Sequence, residues 1–280
     1  MADVVTGKGE AAARPPARFG RIAPRAWSAA TLIQRRFGLV FVVLAVIVGV
    51  AVGGFVVMLG RHTHHRAGGP WSTWHPSQVG TFAYQQIAEQ IGHQYRLSNG
   101  QQLVVVDAKL PELQSIPIGG VAIRSGPPGE STKDSKVYPV VDGAMFQLCG
   151  SARGCRLPGT PSVARGLLVR REALGLTLYT LKFLPGVDSV LVWFPPSVNC
   201  TSAPGCKAIF FRRSDLQKEL LQPLSATLEP EKKLVAGELS ARDQATVERL
   251  TRFHFFDLDR VQQLPDSTLL PVFAPPALAP

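Results

Sequence analysis

Four cysteines stand as two matched pairs. Cys149 and Cys155 bracket Gly-Ser-Ala-Arg-Gly, and Cys200 and Cys206 bracket Thr-Ser-Ala-Pro-Gly. Thiols can cross-link, hold zinc or exchange electrons, and spacing separates these chemistries. Zinc sites prefer shorter gaps between ligands and redox motifs shorter still. A run of small, turn-forming residues instead lets two Cα atoms close to the roughly 4.4–6.8 Å of a disulfide. The pattern therefore predicts local bridges, Cys149–Cys155 and Cys200–Cys206, with cross-pairing between the loops as the alternative. Loops this short gain only about 2–3 kcal/mol from chain entropy, so the bridges shape loops more than they hold a domain.

Other reactive side chains are scattered. His62, His64 and His65 could hold a divalent metal, but no carboxylate lies near them in sequence, and no metal site is assigned. His254 would share a helical face with Asp257, whereas Asp257 and Asp259 would share a face of a strand. Arg170-Arg171 and Arg212-Arg213 offer forked donors that suit phosphate or other anions. Asp107, Asp142, Asp188 and His254 are the remaining candidates for a hydrolase or transferase site. The chain has no G-x-S-x-G, no P-loop and no H-E-x-x-H. No catalytic residue and no cofactor is assigned on this basis, and the balance leans away from an enzyme.

Elements must position these groups. Apolar spacing predicts a helix within Ser77–Tyr95 and strands at Leu103–Val106, Ile116–Ile123 and Val137–Leu148, the last interrupted at Asp142-Gly143. Gly126–Lys136 is a polar loop and the best internal boundary. Ser162 opens a helical stripe of Val163, Leu167, Leu168, Leu174, Leu178 and Leu181 that runs to Phe183. Pro185-Gly186 stops it, and Val187–Phe194 follows as strand. Lys207–Phe211 is a further strand, Ser214-Asp215 start a brief helix, and Ser240 caps a helix to Arg252. Phe253–Leu258 adds a last strand, and residues 261–280 read as a Pro- and Ala-rich tail. Mixed elements without strict alternation predict an α+β domain over residues 77–260.

The helix, turn and strand around Leu178-Tyr179-Thr180-Leu181 and Leu184-Pro185-Gly186-Val187-Asp188-Ser189-Val190 resemble the corresponding unit of GerMN-type domains, small extracytoplasmic α+β modules. That resemblance implies a scaffold or binding module and brings no catalytic residues. The chain as a whole resembles membrane-anchored proteins of Arg- and Ala-rich actinobacterial proteomes.

Phe37–Gly60 carries no charge. As a helix it would span roughly 36 Å, enough for a bilayer core of about 30 Å. Half of the net charge of +10 lies before it, with Lys8, Arg14, Arg18, Arg21, Arg25, Arg35 and Arg36 against Asp3 and Glu10. Positive charge stays inside, which predicts a cytoplasmic tail over residues 1–36 and an extracytoplasmic bulk. Residues 61–76 read as a juxtamembrane stalk whose Trp71 and Trp74 could rest among headgroups. Ala45, Gly49 and Gly53 form a small-residue stripe suited to a homodimer of spans. The expected partners are the lipid bilayer, a second copy and an envelope component, and no nucleic acid, since the basic charge sits beside the span. The expectation is thus a plasma-membrane protein with a single N-terminal transmembrane helix. Its α+β domain would bind something in the cell envelope, with a hydrolase or transferase and an anchor subunit of a larger membrane complex as alternatives.

Overall fold

The computed structural model describes residues 70–126, 135–196, 205–229 and 233–276. The apolar run Phe37–Gly60, its Ala45, Gly49 and Gly53, the stalk histidines and Cys200 lie outside them. Among the described residues no helix is long and apolar enough to cross a membrane.

The predicted α+β class holds. The longest helix, α2 (Val163–Phe183), follows the Ser162 cap, whose hydroxyl accepts from the Arg165 amide at 3.2 Å. From Leu168 to Leu181 nearly every residue is buried, including Arg171 and Glu172, so α2 is a central helix rather than a one-sided one. The stripe predicted only part of this, and Val163, its first member, is exposed. The earlier helix α1 (Gly80–Gly92) and a later one, α5 (Ala241–Thr251), both pack on α2. Gly175 faces α1, where a Cβ would be in ordinary contact with Ile91 at 3.5 Å.

Beneath α2 lies an eight-stranded sheet. Its strands are β2 (Val105–Lys109), β5 (Gly120–Arg124), β6 (Ser135–Pro139), β7 (Gly143–Cys149), β8 (Ser189–Trp193), β9 (Lys207–Arg212), β11 (Phe255–Gln263) and β12 (Leu269–Ala274). The spatial order is β2-β7-β8-β9-β11-β12-β5-β6. β7 and β8 are parallel and joined through α2; β12 and β5 are the other parallel pair. Short strands complete the set: β1 (Tyr95–Arg96) with β10 (Leu234–Val235), and β3 (Glu112–Leu113) with β4 (Ile116–Pro117). A 3₁₀ turn (Arg213–Leu216) leads into α3 (Gln217–Leu221) and α4 (Leu224–Thr227).

The strands alternate strictly. Val190 and Val192 of β8 and Ile209 and Phe211 of β9 join the helix-side core, while Leu191, Trp193, Ala208 and Phe210 join a second core on the opposite face. Trp193 meets Phe273 of β12 at 5.4 Å, and Tyr138 of β6 meets Phe210 at 6.0 Å. Strands that far apart in the order can touch only if the sheet curls back on itself. A register shift in β11 between Leu258 and Arg260 supplies part of the bend.

Two sequence expectations are corrected. Residues 261–280 are not simply a tail: Val261–Gln263 extend β11, and Leu269–Ala274 form a fully buried strand between β11 and β5. Pro271 obscured it by lacking a ladder donor; β5 pairs only with Val272 and Phe273, beyond the proline. The final part of the stalk is likewise part of the domain. Trp71 packs edge-on to Tyr179 and Phe183 at 5.3 and 5.5 Å, and Trp74 lies 5.6 Å from Tyr179. The Trp71 indole donates to the Glu219 carbonyl, and the Leu224 amide donates to the Trp71 carbonyl. The indoles find their apolar surface on α2 itself.

Candidate functional site

The strands β7 and β8 both begin at one end of the sheet, where α2 also ends. Asp142 precedes β7 and Asp188 precedes β8, and the Asp188 amide donates to the Asp142 carbonyl at 2.9 Å. Because β9 runs antiparallel to β8, its last residue, Arg212, and the following Arg213 arrive at this same end.

Two adjoining cavities open here and share Val141 and Asp142. The larger, about 690 Å³, is walled by the approach to α1 (His75–Gly80), Tyr84, Leu110 and the turn from Phe183 to Val187. The smaller, about 470 Å³, adds Tyr138, Pro139, Asp188, Ser189, Arg212, Arg213 and Ser214. The rim of the larger cavity is apolar and unusually bare, with Val79 81%, Leu110 56% and Val141 82% exposed. Exposed aliphatic groups gathered on one concavity mark a surface made to be covered.

The charges at this end are not equivalent. Arg212 is held by Asp215 through contacts of 2.6 and 3.2 Å and lies 4.5 Å from the Tyr138 ring centre. That hydrogen bonding raises its already high pKa. Arg213 turns its terminal nitrogens to the carbonyls of Leu181, Leu184 (2.9 Å) and Val187 (2.5 Å), clasping the last turn of α2 and the turn that follows it. Its Nε is 3.9 Å from Asp188. Among the described residues Asp142 has no salt-bridge partner. It is also the only Asp, Glu, Lys or Arg lining the larger cavity. Burial and the field of Asp142 together raise the Tyr84 hydroxyl. The site thus offers an apolar wall and one uncompensated negative charge.

Other sequence candidates are placed elsewhere. Arg171 is 2% exposed and bonds to Asp243, Tyr95 and the Glu229 carbonyl, which removes it from any anion-binding surface. Arg170 bonds to Thr251 and Glu248, both at 2.7 Å. The segment after His254 is strand, and its two acids serve different cations: Asp257 pairs with Lys207 and Asp259 with Arg124 at 2.8 Å. His254 stacks on Phe211 at 4.2 Å and bonds through Nδ1 with the Phe210 carbonyl; burial lowers its pKa. No His–Asp acid–base group is assembled from these three. Asp107 lies on β2 beside Lys109, at 2.9 Å.

Cys149 and Cys155 form a disulfide with Cα atoms 4.5 Å apart, at the far end of β7 from the cleft. Cys206 is also oxidised. Among the described residues no group of three or more His, Cys, Asp or Glu is arranged to hold a metal ion. Sequence reasoning singled out Asp142, Asp188, Arg212 and Arg213 separately; it missed Val79, Leu110, Val141 and Tyr84, whose convergence depends on three loops meeting.

Comparison with known proteins adds no template: no family model, no curated protein and no solved structure matches the chain.

Proposed function

We infer that the chain is a membrane-anchored binding protein whose extracytoplasmic α+β domain holds its ligand in the cleft at the end of α2. The observation that carries this reading is the union of a bare apolar rim, Val79, Leu110 and Val141, with the unpaired carboxylate of Asp142. A cationic ligand with an apolar body matches both, and a peptide segment with Lys or Arg beside aliphatic residues has that chemistry. The uncharged run Phe37–Gly60 with its basic flank supports the anchor, and the GerMN-like unit supports a binding role.

The test uses the full chain in detergent and two labelled peptides, alternating Val-Lys and alternating Val-Glu, followed by fluorescence anisotropy. The Val-Lys peptide binds and weakens with added salt, Asp142→Asn loses about tenfold in affinity, and the Val-Glu peptide does not bind. Equal binding of both peptides, or an unchanged Asp142→Asn, refutes the cationic-ligand reading. Resistance to carbonate extraction from membranes tests the anchor separately.

One observation favours a second reading, an envelope hydrolase or transferase: Asp142 and Asp188 border one cavity. General acid–base chemistry needs a base within hydrogen-bond reach of a nucleophile or bound water. If this reading holds, Asp142→Asn with Asp188→Asn abolishes turnover while leaving peptide binding to the neighbouring wall.

A further inference from the structure

Glu172, on α2, has 0% exposure, and neither of its carboxylate oxygens has a hydrogen-bond partner. Its neighbour Arg171 is just as buried, yet its guanidinium is committed to Asp243 at 2.5 Å, the Tyr95 hydroxyl at 2.8 Å and the Glu229 carbonyl at 3.0 Å. The nearest cation in sequence is therefore spent on other groups. A bare carboxylate in such a place is far costlier than a carboxylic acid, so burial pushes Glu172 well above the ordinary carboxyl range, with Arg96 pulling the other way.

The surroundings form a closed corner. Helix α1 ends at Gly92 and turns directly into β1, which pairs with β10; Arg96 also bridges to Gln102, just before β2. A Cβ on Gly92 would lie 2.8 Å from Gln102 Nε2, 3.4 Å from Val106 Cγ2 and 3.8 Å from Glu172 Oε1, so the carboxyl lies against the end of α1 alongside these two side chains. Arg96 on β1 is the cation whose charge it feels, and the carboxylate in turn raises the neighbouring Tyr95 hydroxyl, also on β1. Arg171 and Asp243, from α2 and α5, are paired with each other beside Tyr95. The end of α1 and the segment before and within β2 contribute Gly92, Gln102 and Val106, which do not titrate.

We propose that Glu172 is a proton-operated latch: as the neutral acid it lets α1, β1 and β10 close over α2, and as the carboxylate it drives that corner open to water. The sign follows from linkage. A carboxyl whose folded pKa lies above its unfolded value stabilises the closed form fully below the ordinary carboxyl range. That stabilisation is lost as pH rises through the elevated folded value. Arg96, only half-buried, is placed to meet the charge as the corner loosens, and it limits how high the pH must go.

Hydrogen exchange followed by mass spectrometry on the full chain, from about pH 5 to pH 9 and normalised for intrinsic rates, tests this. Protection of residues 92–106 should fall at least tenfold as pH rises, while residues 189–193 of β8 stay protected. Glu172→Gln, which cannot ionise, should keep residues 92–106 protected throughout. Arg96→Gln removes the opposing cation and should move the opening to higher pH. A flat wild-type profile, or a Glu172→Gln profile with the wild-type pH dependence, overturns the proposal. Should Glu172→Gln fail to fold, Arg96→Gln decides alone: an opening midpoint that stays or falls refutes the latch.

Discussion

The two halves of α2 are surrounded by charge in opposite ways. Toward its start, Arg171 and Glu172 are sealed inside, with Asp243, Tyr95 and a backbone carbonyl gathered around the guanidinium. At its end, Asp142 and Asp188 stand in water beside a bare aliphatic rim. Burial holds the Tyr95 hydroxyl up at about 12, against the pull of Arg171, so Tyr95 stays protonated across ordinary pH. A sealed charge is an obligation of the fold, because removing its partner strands it in a low dielectric. An exposed charge costs the fold little and is free for a ligand. Position along one helix thus separates charge that holds the structure from charge that can recognise something.

The comparison is broken most forcefully at Asp243. Asp243→Ala strands Arg171 and removes the acceptor of the Glu229 amide, so urea unfolding should show a loss of about 3–5 kcal/mol. Trp71→Ala strips ring contacts from Tyr179 and Phe183 together with the bond to Glu219, and should cost about 2–3 kcal/mol, since the indole is only partly buried. Replacing both Cys149 and Cys155 by Ser opens a short loop remote from the cleft. Thermal unfolding should register about 2 kcal/mol, with peptide binding unchanged. Smallest for the fold is Asp142→Asn, within about 0.5 kcal/mol by the same unfolding measurement, although it is the variant expected to lose the cationic peptide. A large stability loss in Asp142→Asn would erase the distinction between the two halves.

Much of the frame was legible beforehand, and the reasons are local. Ser162 and the Pro185-Gly186 stop bounded α2, and Ser240 capped α5, because caps and breakers act within a few residues. Short continuous apolar runs bounded by turn residues gave β8 and β9. The five-residue gap between Cys149 and Cys155 indicated their bridge. What stayed hidden depends on long-range pairing. β12 reads as a tail until β11 and β5 close around it, and Val137–Leu148 reads as one interrupted strand although β6 and β7 lie far apart in the sheet. Arg171 looked like a surface cation because nothing local reveals that Asp243, seventy-two residues on, waits inside to receive it. The cleft was invisible for the same reason: its walls come from the approach to α1, the turn before β7 and the turn after α2.

Phe183 belongs to two structures at once. One side of its ring meets Trp71, which fastens the segment ahead of α1, and the residue also lines the larger cavity. Tension applied at Pro70 is therefore borne by the aromatic rings of Trp71 and Phe183. The first part of the binding wall to feel such a load is Phe183. In mechanical language, no strain relief separates Trp71 from the cleft.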